Sequence, residues 1–156
     1  MIDTAIEKDG AQIRDIAARA GVFSEEEVDC VGEIWEEYIN VGPEGCGYHF
    51  IVERDGEKVL GFSCHGPRDL TEGVFDLFWI AVDPDSLRSG VGRDLLTASE
   101  DAVAKSGGRM LVAETSGTSL YESTRSFYLG MRYKAEAIIK DFYTDGDDLV
   151  IYVKRF

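Results

Sequence analysis

The chain has 156 residues, 44% of them hydrophobic, which suits one compact domain over residues 1–156 with a full-sized core rather than two small ones. Thirty Asp and Glu against sixteen Lys and Arg leave a formal charge of −14, which opposes contact with nucleic acid or an anionic membrane and favours a cationic or neutral partner. Cys30, Cys46 and Cys64 are odd in number and lack disulfide or zinc spacing, so three buried, reduced thiols and no metal are expected.

The N-terminal MIDTAIEKDG carries charges throughout and has no apolar signal core. No run elsewhere approaches the roughly 18 apolar residues of a membrane span, so a cytoplasmic location is expected. Two helical patterns follow. In DGAQIRDIAARAG, Ile13, Ile16, Ala17 and Ala20 share a face; in SEEEVDCVGEIWEEYIN, Val28, Val31, Trp35, Tyr38 and Ile39 share another. Ser24 with Glu27 three residues on predicts a capping box, and Glu25, Glu26 and Glu27 then form a favourable first helical turn.

YHFIVERDGEKVLGFSCHG predicts a β-hairpin turning at Asp55-Gly56. GVFDLFWIAV is apolar on both alternating faces, as in a central strand covered on both sides. A helix from about Gly90 to Lys105 stops at Gly107-Gly108, and the strand RMLVAET comes next. A short helix around YESTRSFYLGM leads into YKAEAIIKDFY and LVIYVKRF, two strands joined by the turn TDGDD. This order predicts an α/β (α+β) domain with a mixed, mostly antiparallel central sheet flanked by helices.

Between strand and helix lies VDPDSLRSGVGRDLL, Val82 to Leu96. Gly90 and Gly92 either ease a tight turn or expose successive amides at a helix N-terminus, where a phosphate would bind. A dinucleotide fingerprint is excluded because Leu95 holds its third glycine position, and a Walker loop because no Gly-Lys-Ser/Thr follows.

Together, FDLFWIAVDPDSLRSGVGRDLL and STRSFYLGMRY resemble the two motifs of the GNAT superfamily, the acetyl-CoA-dependent N-acetyltransferases. The resemblance is clear over about residues 48 to 135 and implies acetyl-CoA as cosubstrate. Its pantetheine arm would bond to the strand backbone at Ile80, Ala81 and Val82. Its pyrophosphate would lie on the loop Arg88, Ser89, Gly90, Val91, Gly92 and Arg93. The chain departs from the pattern at Leu87, where the family has Arg or Gln, at Arg132-Tyr133 in place of Gly-Phe, and at Tyr121, where many members have Asn.

The implied activity is transfer of an acetyl group to a primary amine by direct attack in a ternary complex. Tyr128 matches the family tyrosine that protonates the CoA thiolate; a core-edge tyrosine is the other reading. Asp76 and Glu114 match positions where some members carry a base, and either can instead be structural; Asp76 is the expected base and Glu114 the mainly structural residue. Asp76, placed on one strand face with Phe78, Ile80 and Val82, is expected to be desolvated and to titrate above a free Asp. Glu114, in ETSGTS, is expected to bond to Thr115, Ser116 or a nearby amide. His65 reads as a loop residue, satisfied or lining the acceptor pocket, and Tyr121, Phe142 and Tyr143 are candidates for that lining too. The acceptor is expected to be a small cationic molecule or a protein amine, and a homodimer is compatible with the sequence. Two alternatives share the fold: a CoA-binding regulatory domain without catalysis, and an interaction module.

Overall fold

A computed structural model describes residues 1–156. Five helices and seven strands alternate along it: β1 (Ile2–Thr4), α1 (Gly10–Arg19), α2 (Glu25–Val41), α3 (Pro43–Cys46), β2 (His49–Asp55), β3 (Lys58–Pro67), β4 (Val74–Val82), α4 (Val91–Lys105), β5 (Met110–Ser116), α5 (Glu122–Gly130), β6 (Lys134–Thr144) and β7 (Asp147–Arg155). One sheet holds all seven strands in the order β1-β2-β3-β4-β5-β7-β6, and only β4 and β5 run parallel. No helix is long and apolar enough to cross a membrane.

The helices form where the sequence carries their signals. Ser24 Oγ accepts from the Glu27 amide and Glu27 Oε2 accepts from the Ser24 amide, closing the predicted capping box at the start of α2. Ile13, Ile16 and Ala17 of α1 and Val31, Trp35 and Tyr38 of α2 pack on Phe50, Val52, Phe62 and Cys64 from one face of the sheet. Leu96 and Val103 of α4 and Tyr128 of α5 pack on Leu77, Leu111, Ala113 and Val150 from the other.

Several expectations need correction. β1 is a three-residue strand, too short for its alternation to register, and it extends the sheet by pairing with β2. The β2–β3 turn residues are Gly56 and Glu57, with Gly56 at φ 59°, so Asp55 closes the strand instead of entering the turn. All three cysteines are free, but only Cys64 is buried; Cys30 and Cys46 are half-buried. The predicted order of residues on β4 also changes. The β3 ladder runs from Cys64 opposite Trp79 to His65 opposite Leu77, so Phe78 is an extra residue, a β-bulge. The bulge inverts the alternation: Leu77 and Ile80 both enter the α4–α5 core, while Trp79 and Ala81 enter the α1–α2 core. Asp76 therefore shares its face with Trp79 and Ala81, not with Ile80 and Val82.

β4 and β5 pair only from Val74–Asp76 to Met110–Val112. Beyond this point the strands diverge, with β4 continuing to Val82 and β5 to Ser116.

Candidate active site

The divergence of β4 from β5 opens a cleft of about 930 Å³. Asp76, Ile80, Glu114, Tyr121, Tyr128 and Tyr143 are among its walls. The strand edge inside it carries free polar groups. Asp83 donates its amide to the Leu60 carbonyl across β3, and successive backbone groups alternate along a strand, so the amides and carbonyls of Ile80 and Val82 point away from β3 into the gap. Ala81 is turned the other way, with its carbonyl against Gly61. Of the three predicted backbone positions, Ile80 lines the cleft, Val82 turns its backbone groups the same way beyond it, and Ala81 faces β3.

The chain leaves β4 through a pinned turn. The buried Asp83 carboxylate takes Arg19 at 3.0 Å, Lys58 at 3.1 Å and the Asp85 amide at 3.1 Å. These partners hold Asp83 ionised; the Asp85 amide is the largest influence lowering its pKa, against the effect of burial. Arg88 at φ 60° and Gly90 at φ 95° then turn the backbone into α4, whose N-terminus has no side-chain cap. The amides of Val91, Gly92 and Arg93 are thus left without internal acceptors, and the helix dipole adds positive potential where they point.

The two glycines serve different ends. Gly90 is needed for its left-handed backbone. Gly92 is ordinary helix, but a Cβ there would lie 3.5 Å from Val82 and 3.6 Å from Phe127, so its bareness keeps open the junction of β4, α4 and α5. The positive φ values in this loop belong to Gly90 and to Arg88. Arg132, at the family's glycine position, also takes a positive φ of 67°, a conformation that favours glycine.

Tyr128 lies at this junction. Its ring is buried against Tyr133 and Tyr152, with centroids 5.5 Å away in each case. No hydrogen bond within the protein holds its hydroxyl, and the residue borders the cleft. Burial pushes the phenol far above its ordinary pKa, so it stays protonated and able to donate. Tyr121 is committed elsewhere: its hydroxyl donates to the Val22 carbonyl at 2.8 Å, tying the cleft wall to the α1–α2 loop, and burial pushes its pKa up to about 12.

Asp76 and Glu114 are brought together, but not as unpartnered carboxylates. Arg68, just past β3, places Nε and Nη2 on Asp76 at 2.6–2.9 Å and extends Nη2 to Glu114 at 3.3 Å. The expected desolvated, unpaired Asp76 is therefore replaced by an ion pair. Glu114 bonds to Arg68 rather than to Thr115 or Ser116, and its side chain is 42% exposed against 15% for Asp76. Arg68 was missed because it lies eight residues from one partner and 46 from the other.

His65 belongs to β3 instead of a loop. It is buried, stacked on His49 outside the cleft, and its Nδ1 has no partner; burial lowers its pKa to about 4. Tyr143 lines the cleft, whereas Phe142 faces outward.

The sequence profile of the Acetyltransferase (GNAT) family matches residues 11–131. No curated protein matches the chain. Among solved structures, a GNAT-family protein from Desulfovibrio desulfuricans is 39% identical, with 99% of this chain and 98% of that one covered at a TM-score of 0.96. The ribosomal-protein-S18-alanine N-acetyltransferase of Escherichia coli shares the fold at 22% identity, 99% and 92% coverage and a TM-score of 0.78. A Salmonella typhimurium protein solved with acetyl-CoA shares it at 18% identity, 99% and 92% coverage and a TM-score of 0.77. With a family profile spanning most of its length, this chain belongs to the GNAT acetyltransferase family.

Proposed function

We propose that the protein transfers the acetyl group of acetyl-CoA to a primary amine by direct attack in a ternary complex. One observation carries this reading: Ile80 and Tyr128, whose hydroxyl is unpartnered, line one cleft, and the uncapped N-terminus of α4 sits next to them, with Gly92 beside Val82 and Phe127. The free amides from Gly90 to Arg93, with Arg88 and Arg93 beside them, fit a pyrophosphate. The groups of Ile80 and Val82 fit an extended amide arm, and an Ile80 amide can polarise the thioester carbonyl.

An alkylammonium with a pKa near ~10 must lose a proton before it attacks. The C–N bond then forms as the C–S bond breaks, and Tyr128 gives its proton to the departing sulfur. Asp76 spends its carboxylate on Arg68, so Glu114, with one long bond to Arg68, is the freer acceptor for the amine's proton, directly or through water. Glu114→Gln is expected to lower kcat about 10²-fold and flatten the acidic limb of its pH profile, while Asp76→Asn changes KM and stability more than kcat. The opposite pattern would return the base to Asp76.

Five carboxylates line the cleft, those of Glu26, Glu27, Asp76, Glu114 and Asp147, against the single cation Arg68, which supports a cationic small molecule or protein amine as acceptor. Thermal shift with acetyl-CoA, followed by an amine panel, tests the whole reading. Stabilisation without turnover would leave a CoA-binding regulatory domain, and no stabilisation would leave an interaction module. The loop has its own test. Gly92→Val is expected to weaken CoA binding at least about tenfold by calorimetry, equivalent to one lost amide bond, with its helical backbone intact. Unchanged affinity would remove the loop from the site.

A further inference from the structure

Arg68 is the one cation on the cleft wall, and its two carboxylate partners share it unequally. Its backbone is fixed: the Arg68 amide donates to the Val74 carbonyl at 2.8 Å, and Thr71 Oγ1 donates to the Arg68 carbonyl at 2.7 Å, so movement is left to the side chain. Nε donates to both Asp76 oxygens at 2.9 Å and Nη2 to Asp76 Oδ1 at 2.6 Å, whereas Glu114 Oε1 receives one bond, from the same Nη2, at 3.3 Å. Asp76 is the last residue of β4 paired with β5, and Glu114 lies two residues beyond its partner Val112. The guanidinium therefore spans the point where the strands part, anchored on the buried carboxylate and loosely held by the exposed one. Charge is left over. Two carboxylates face one guanidinium, and no lysine or second arginine lines the cleft to balance them.

We infer, on the acetyl-transfer reading, that Arg68 is a positioning residue: it occupies the ammonium subsite of the empty cleft and yields it to the acceptor. An arriving ammonium competes with Nη2 for Glu114 Oε1. The long bond is the one that gives way, because three shorter contacts keep the arginine on Asp76. The exchange completes the charge balance, since two carboxylates, one guanidinium and one ammonium sum to zero. Until then the bond orients Glu114, a partly exposed side chain with no other hydrogen-bond partner, so the carboxylate is already aimed when the amine enters. Asp76 in turn holds the arginine back. Without it the whole guanidinium would close on Glu114 and block the subsite.

The competition has a definite sign. Calorimetric titration of n-butylammonium chloride into the whole chain saturated with CoA should give an affinity about fivefold tighter in Arg68→Gln than in wild type, because the competing cation is gone. Asp76→Asn should weaken it about tenfold, as the released guanidinium moves onto Glu114. In turnover of the fastest amine of the panel, Arg68→Gln should lower kcat about tenfold together with KM, since Glu114 is no longer aimed. Arg68→Lys keeps the charge, but one ammonium cannot span both carboxylates, so butylammonium affinity should return to within about threefold of wild type while kcat stays low. A merely structural arginine predicts the opposite sign, weaker binding and a higher KM in Arg68→Gln. That result in a variant with wild-type circular dichroism overturns the inference, as do an unchanged kcat and a failure of both wild type and Arg68→Gln to take up butylammonium. The acetyl-transfer reading fails separately, if acetyl-CoA does not stabilise the wild type or no amine is turned over; the butylammonium titration then still decides whether Arg68 occupies a cation subsite.

Discussion

Tyr128→Phe is expected to lower kcat about 10²-fold while acetyl-CoA binds with nearly unchanged affinity. The substitution keeps the ring that packs on Phe127, Tyr133 and Tyr152 and removes one oxygen. That oxygen has no partner inside the protein, so no internal hydrogen bond is lost, and stability should stay within about 0.5 kcal/mol. Loss of rate without loss of stability distinguishes a proton donor from a core tyrosine. The direction of its pKa adds a second test. Burial raises the phenol far above its ordinary value, so it remains an acid through the working range and should impose no falling alkaline limb below pH ~10. Steady-state kinetics across pH, with calorimetry for acetyl-CoA, measure both. A Tyr128→Phe enzyme as fast as wild type would disqualify the tyrosine. Tyr121 would be a poor substitute, because its hydroxyl already donates to Val22.

What could be read from the sequence was local. The capping box at Ser24 and Glu27, the faces of α1 and α2, and the loop into α4 all depend on residues within a few positions of one another. What could not be read depended on distance or on one irregular residue. The Phe78 bulge leaves no mark in an apolar run, yet it moves Asp76 to the other core's side from Ile80. Arg68 joins carboxylates on two strands, and no spacing rule connects positions 68, 76 and 114. In β6, Ala, Ile, Phe and Tyr at strand spacing do not by themselves tell burial, because burial requires a covering layer, and every residue of this edge strand is exposed.

The largest effect on stability is expected from Arg54→Met, about 3–5 kcal/mol, because it leaves a buried carboxylate without its counter-charge. Asp9 is fully buried and Arg54 is 7% exposed; they meet through Nη1–Oδ1 at 2.7 Å and Nη2–Oδ2 at 2.9 Å, and Asp9 also accepts the Ile6 amide at 2.8 Å. The pair joins the start of α1 to β2, and the loop after α1 supplies Gly21, Val22 and Phe23 to the cleft wall, so its loss should also raise KM for the acceptor. Its pH dependence has a definite sign. Burial alone would raise the Asp9 pKa, but the bonds from Arg54 and Ile6 outweigh it and hold the folded value below the ordinary one. In wild type the pair's contribution is therefore complete above the unfolded pKa of about 3.9 and is lost as pH falls through the folded value. In Arg54→Met only desolvation and the weaker contacts remain, so Asp9 takes up a proton more readily and the deficit relative to wild type should shrink on acidification. Urea melts at pH 7 and at about pH 4 measure this, and the double variant Asp9→Asn/Arg54→Met should recover part of the loss because no unpaired charge stays buried. A deficit equal at both pH values would show that the lost contribution is packing around the arginine stem and not the ion pair.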